Sequence, residues 1–125
     1  MRSGYSLLEV LLAVALIALV STIAAPSLIN GLRQREVRLA LTALEAGMTR
    51  LRYDAVLAAA PLEIAPEALT ARFPDLPPGW HVTAGTPLRV SAGGLCDDGE
   101  FTLAAPDGRL WHRRAAAPDC ALERI

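Results

Sequence analysis

RSGYSLLEVLLAVALIALV, residues 2–20, decides how the rest of the chain is read. Between Gly4 and Val20 the only acidic or basic side chain is Glu9. A carboxylate placed in hydrocarbon is costly, so its presence in an otherwise apolar run is a functional signal that calls for a partner. The run continues to Ile29, and as a helix from Tyr5 it spans about 36 Å, enough for a bilayer core of roughly 30 Å. Arg2 stands before it, with Arg33, Arg35 and Arg38 behind. Basic residues on both flanks leave orientation undecided by the positive-inside rule.

Three readings compete for this segment. A secretory signal peptide has a basic start, an apolar core and a small-residue cleavage point. Glu9 interrupts that core, and cleavage at Ala24 or Ala25 would abut Pro26. An ordinary transmembrane helix accounts for the length and leaves Glu9 unexplained. The third reading starts from Gly4-Tyr5-Ser6-Leu7-Leu8-Glu9, which resembles the processing site of type IV pilin-like proteins. The resemblance implies that residues 1–4 form a leader removed by a prepilin peptidase between Gly4 and Tyr5. Tyr5 would then be N-methylated, and Glu9 would be the fifth residue of the mature chain. Tyr5 stands where the family usually has Phe, and it keeps the aromatic ring.

The same resemblance gives Glu9 its partner. Cleavage creates a positive amine at Tyr5, and the Glu9 carboxylate of a neighbouring helix is its counter-charge. Each group alone is costly in low dielectric, and pairing across packed helices offsets much of that cost. Pro26 matches a family proline at which the assembly helix can bend or locally melt, because proline lacks the N–H that the ladder needs.

Behind Pro26 the chain turns amphipathic. Val37, Leu41, Leu44, Met48, Leu51 and Ala55 recur at intervals of three and four, the period of one helix face. Arg33, Glu36, Arg50, Arg52 and Asp54 lie largely off that stripe. One long helix from about Tyr5 to about Ala59 is expected, with any flexibility near Gly31 and a stop at Pro61. Five prolines between Pro61 and Pro78 mark a loop, with one short helical turn around Pro66 to Arg72. Trp80–Thr83, Leu88–Ser91, Glu100–Leu103 and Arg109–Arg113 read as short strands, the last two joined through Pro106-Asp107-Gly108. The expected class is α+β and pilin-like. A long N-terminal helix, transmembrane in its first half and amphipathic in its second, packs on one small antiparallel sheet. The divisions are a leader at 1–4, an apolar assembly helix at 5–29, an amphipathic helix at 30–60 and a small head at 61–125.

The 125 residues carry a net charge of -1, and all twelve basic residues are arginine. No global attraction to nucleic acid follows, and none is expected as a partner. Cys96 and Cys120 have no CxxC spacing and are the right number for one bridge in an oxidising compartment; two free buried thiols are the alternative. A bridge would close a loop of about 25 residues, worth about 3 kcal/mol in the chain-entropy model. A disulfide near the C-terminus is also a common pilin-like feature, in keeping with a head in the periplasm.

Other chemistry is weakly signalled. His81, Cys96, His112 and Cys120 lack zinc-ligand spacing, so no metal site is assigned. Asp97, Asp98 and Glu100 share a Gly-containing loop that fits an EF-hand poorly, and an acidic solvated turn is the ordinary reading. Trp111-His112-Arg113-Arg114 pairs an aromatic with basic residues, as a strand end does. No Ser-His-Asp, P-loop or dinucleotide signature occurs, so neither a catalytic role nor a cofactor is expected.

The resemblance therefore implies a building block of a filament. Its partners would be other pseudopilins, major and minor, the prepilin peptidase and an inner-membrane assembly platform. The expected location is the bacterial inner membrane, single-pass, with the head in the periplasm. The Arg50–Ala60 segment and Ala105-Pro106-Asp107-Gly108-Arg109 are similar to minor pseudopilins of the type II secretion system, most of all the H type. A minor type IV pilin or a DNA-uptake pseudopilin is the alternative. A bitopic membrane protein with a sensing or chaperone-like head is the alternative of another class.

Overall fold

The computed structural model describes residues 4–125, and residues 1–3 of the expected leader lie outside the described residues. A single α-helix, α1, runs over Leu7–Ala58, close to the expected limits. The chain divides into two compact units, Met1–Glu36 and Val37–Ile125. In the first unit every described residue is exposed. Its helix is long and apolar enough to cross a membrane.

In the second unit α1 buries Ala40, Ala43, Leu44, Gly47, Met48, Leu51 and Ala55. Val37 and Leu41, the first two residues of the expected stripe, are only partly buried against that core. Small residues at 40, 43, 47 and 55 let other elements approach the helix closely. Phe73 uses this most fully: its ring lies where a Cβ on Gly47 would be. The same core contains Leu69, Trp80, Val82, Leu88, Val90, Phe101 and Leu103.

α1 ends in a Schellman motif. The Ala60 N–H donates to the Ala55 carbonyl at 3.3 Å and the Ala59 N–H to the Val56 carbonyl at 3.1 Å. Ala59 takes the left-handed conformation at φ 49°, a position that glycine fills at no steric cost. Pro61 follows at once and cannot continue a helix.

The strands are β1 (Leu62–Ile64), β2 (His81–Ala84), β3 (Leu88–Val90), β4 (Gly99–Ala104), β5 (Leu110–Ala116) and β6 (Ala121–Arg124). They form two antiparallel sheets, β1-β3 and β2-β4-β5-β6, where one four-stranded sheet is expected from sequence. Leu88–Val90 does not join the larger sheet; it pairs with β1 in the register Leu62↔Val90 and Ile64↔Leu88. The four residues between Pro61 and Pro66 are too few to show the alternation that identifies a strand, so β1 is unannounced in the sequence. Two 3-10 turns, Pro66–Ala68 and Thr70–Arg72, replace the single expected turn. The Thr70 hydroxyl donates to the Val82 carbonyl at 3.2 Å and accepts from the Val82 N–H at 3.1 Å, satisfying backbone at the edge of β2.

The β4-β5 hairpin turns where expected. The Ala105 N–H donates to the Arg109 carbonyl at 2.9 Å, and the Gly108 N–H to the Ala105 carbonyl at 3.1 Å. Gly108 takes φ 88°, the left-handed residue of a three-residue loop. Asp107 Oδ1 accepts from the Arg109 N–H at 3.1 Å, holding the turn from within. β6, also absent from the expected strands, pairs with β5 through Arg114↔Glu123. Their side chains meet at 3.0 Å, and this partner raises the pKa of the Arg114 guanidinium, first by the hydrogen bond and then by charge.

Cys96 and Cys120 form the expected disulfide, with Cα atoms 5.3 Å apart. Both are buried. The bridge ties the segment before β4 to the turn between β5 and β6, and the Cys96 N–H donates to the Pro118 carbonyl at 2.9 Å beside it. Arg52 reinforces the same junction from α1. Its Nε donates to the Gly94 carbonyl at 2.7 Å and its Nη1 to the Asp119 carbonyl at 2.8 Å.

Candidate functional site: the start of the apolar helix

The first residues of α1 concentrate what is unusual about the chain. Gly4, Tyr5 and Ser6 precede the helix, which begins at Leu7. The Gly4–Tyr5 bond therefore lies outside hydrogen-bonded structure, with Tyr5 exposed, as an endopeptidase needs of a substrate.

Ser6 and Glu9 bond reciprocally. The Glu9 N–H donates to Ser6 Oγ at 3.1 Å, and the Ser6 N–H donates to Glu9 Oε2 at 3.2 Å. This capping box satisfies two N–H groups at the helix start, which would otherwise be unpaired in an apolar medium. It also draws the carboxylate back one turn, to the N–H of Ser6, the residue after Tyr5. The negative charge sits at the positive end of the helix dipole. Ser6 is the residue that sequence reasoning passed over, although Ser6-Leu7-Leu8-Glu9 has the spacing of a capping box.

The rest of the apolar segment keeps its polar groups to itself. Ser21 Oγ donates to the Ile17 carbonyl at 2.8 Å, and Thr22 Oγ1 to the Leu19 carbonyl at 2.7 Å. Side-chain hydroxyls bonded to their own helix can enter hydrocarbon at little cost. Pro26 lies inside α1, which is helical on both sides of it. Having no N–H, it leaves the Thr22 carbonyl without its usual intrahelical donor. Leu7, Leu8, Leu11, Leu12, Val14, Ile17 and their neighbours present a continuous apolar surface around the helix. A helix apolar all round suits lipid or a bundle of similar helices.

The other candidate groups are placed differently. The disulfide uses both cysteines, so His81, Cys96, His112 and Cys120 do not form a zinc site. His112 Nδ1 instead lies 3.1 Å from Thr102 Oγ1. Asp98 Oδ1 accepts from the Ala117 N–H at 2.7 Å, so one carboxylate of the acidic loop holds the chain before β6. Among the described residues no group of three or more His, Cys, Asp or Glu side chains is arranged to hold a metal ion. Trp111 stacks on Trp80 with ring centroids 5.2 Å apart, and the Arg109 guanidinium covers it at 5.2 Å. The basic and aromatic run thus includes a packed part of the sheet.

Residues 1–25 match the prokaryotic N-terminal methylation motif, one fifth of the chain. The match contains Gly4, Tyr5, Ser6 and Glu9 and supports a pilin-like family. No curated protein and no solved structure matches the chain.

Proposed function

We propose that the chain is a structural subunit of a pilin-like assembly and, within that group, a minor pseudopilin of the type II secretion pseudopilus. Prepilin peptidase cleaves Gly4–Tyr5 and Tyr5 is N-methylated. The subunit waits in the inner membrane, single-pass, with its head in the periplasm. The assembly platform then draws it into the filament or its tip beside other pseudopilins, and the growing structure exports folded periplasmic proteins.

One observation carries this reading. A methylation motif and an apolar helix exposed on all sides coincide in one segment, and its carboxylate is held at the first turn by the N–H of Ser6, the residue after Tyr5. Lipid tails are as apolar as leucine, so exchanging lipid for neighbouring helices yields little net hydrophobic free energy. Selectivity must then come from packing and polar groups. An ammonium at Tyr5 of one subunit facing Glu9 of another supplies it, because the pair is far cheaper in low dielectric than either ion alone. Pro26, which offers no N–H to the preceding turn, is where the helix can bend as it leaves the bilayer. The small head and the Ala105–Arg109 hairpin support a minor subunit over a shaft-forming one.

The test is the intact mass of the protein from membranes, with and without co-expressed prepilin peptidase. Loss of residues 1–4 and one added methyl on Tyr5 is the expected result. An uncleaved chain in both samples would overturn the reading and leave the bitopic alternative in its place.

A further inference from the structure

The buried face of α1 in the second unit has a counterpart on its outside. Leu39, Thr42, Ala46, Thr49, Tyr53 and Val56 are all exposed and recur at intervals of three, four, three, four and three. Alternating steps of three and four are the spacing of a seam between two helices that wind about each other. Leu39 is 55% exposed, Tyr53 64% and Val56 48%. We propose that this seam takes the parallel helix of a second copy of this chain, in register, while both are held in the membrane. The inference rests on the membrane-anchored reading above.

Two observations select a second copy in that orientation. With Leu39, Ala46 and Tyr53 in the first seam position, Glu45 and Arg50 fall on opposite flanks five residues apart. In a parallel in-register pair these are facing positions, so each Glu45 meets Arg50 of the other copy, twice by symmetry. Arg50 already reaches Asp75 at 3.4 Å with about half its side chain exposed, leaving donors for a second carboxylate. The next facing pair is Arg52 and Leu57. Leu57 is 82% exposed. Opposite it lies a groove of about 240 Å³ lined by Thr49, Arg52, Tyr53, Val56, Gly93 and Gly94. Gly94, at φ 80°, brings its loop so close that a Cβ would press on Val56 at 3.0 Å. Leu57 of each copy thus faces an apolar-walled recess of the other.

Six seam residues a side fall short of the about 800 Å² per partner typical of stable interfaces, so the pair is weak in dilute solution. Anchoring both helices in one bilayer raises their effective concentration and removes the antiparallel arrangement.

The experiment uses the full chain in liposomes of phosphatidylethanolamine and phosphatidylglycerol, with single cysteines added and oxidised by copper phenanthroline. The native cysteines are already bridged. Ala46→Cys, on the seam, is expected to give disulfide-linked dimer. Asp54→Cys, equally on α1 and exposed but off the seam, is expected to give at least fivefold less. Adding Glu45→Arg to Ala46→Cys should lower dimer yield about fivefold, from two surface ion pairs turned repulsive. The exchange Glu45→Arg with Arg50→Glu should restore it. Equal yields at 46 and 54, no dimer at 46, or no response to the exchange would each overturn the inference. Mass analysis of membrane samples reports cleavage separately, so failure of the pilin-like reading and failure of the seam are distinguishable.

Discussion

Gly47→Ala sets two effects of known sign against each other. Glycine in a helix interior costs roughly 1 kcal/mol relative to alanine, so on a bare helix the change is stabilising. Here the new methyl would fall inside the ring of Phe73, which is 2% exposed. The ring has little room to retreat. The Phe73 N–H donates to the Thr70 carbonyl at 3.1 Å and its carbonyl accepts from the Leu76 N–H at 3.2 Å, fixing the backbone on both sides. Overpacking of a dense core costs about 1–3 kcal/mol, which exceeds the helix gain. The expected net loss is about 1 kcal/mol, or about 5 °C in midpoint for a unit of this size. Trp80 and Trp111, stacked in the same unit, provide the fluorescence signal for thermal unfolding of the full chain in detergent. Phe73→Leu in the Gly47→Ala background should cost less than the sum of the single changes, because the smaller side chain vacates the contested space. A midpoint for Gly47→Ala equal to or above that of the parent would refute the reasoning.

Other outcomes follow from single contacts. Ala59→Gly relieves a left-handed alanine at the end of α1 and should stabilise the second unit by about 1 kcal/mol, seen as a higher midpoint in the same assay. Arg52→Lys keeps the charge but cannot reach the Gly94 and Asp119 carbonyls together; it should lose about 1 kcal/mol and speed amide exchange at residues 93–96 and 117–120. Glu9→Gln preserves an acceptor for the Ser6 N–H while removing the charge. Helix content in detergent should therefore stay constant while co-purification with neighbouring subunits falls at least tenfold; normal co-purification would remove the ion pair from the account.

The helix was legible for a local reason. Its apolar run, its change to a 3.6-residue period after Pro26 and its stop at Pro61 depend on residues within one or two turns of each other. The same is true of the 106–108 turn, where Asp107 and Gly108 act on their immediate neighbours. The Ser6–Glu9 bond is just as local, three residues apart, yet Ser6 drew notice only once the structure showed it bonded to Glu9.

What escaped the sequence depends on residues brought together from afar. Leu62–Ile64 is a strand only because Leu88–Val90 lies beside it, and this pairing splits the expected single sheet in two. Ala121–Arg124 is a strand only because β5 offers it an edge. Arg52 looks like a solvated charge on the polar side of a helix, yet its partners are 42 and 67 residues away. Gly47 reads as a weak point in a helix until Phe73 is placed on it. The sequence by itself determined the apolar helix, the carboxylate at its first turn and the motif around Gly4 and Tyr5, because helix periodicity and capping act over three or four residues. Tertiary structure alone decided the partition of the strands, the partners of Arg52 and the seat of Phe73, because those depend on which distant segments close the core against α1.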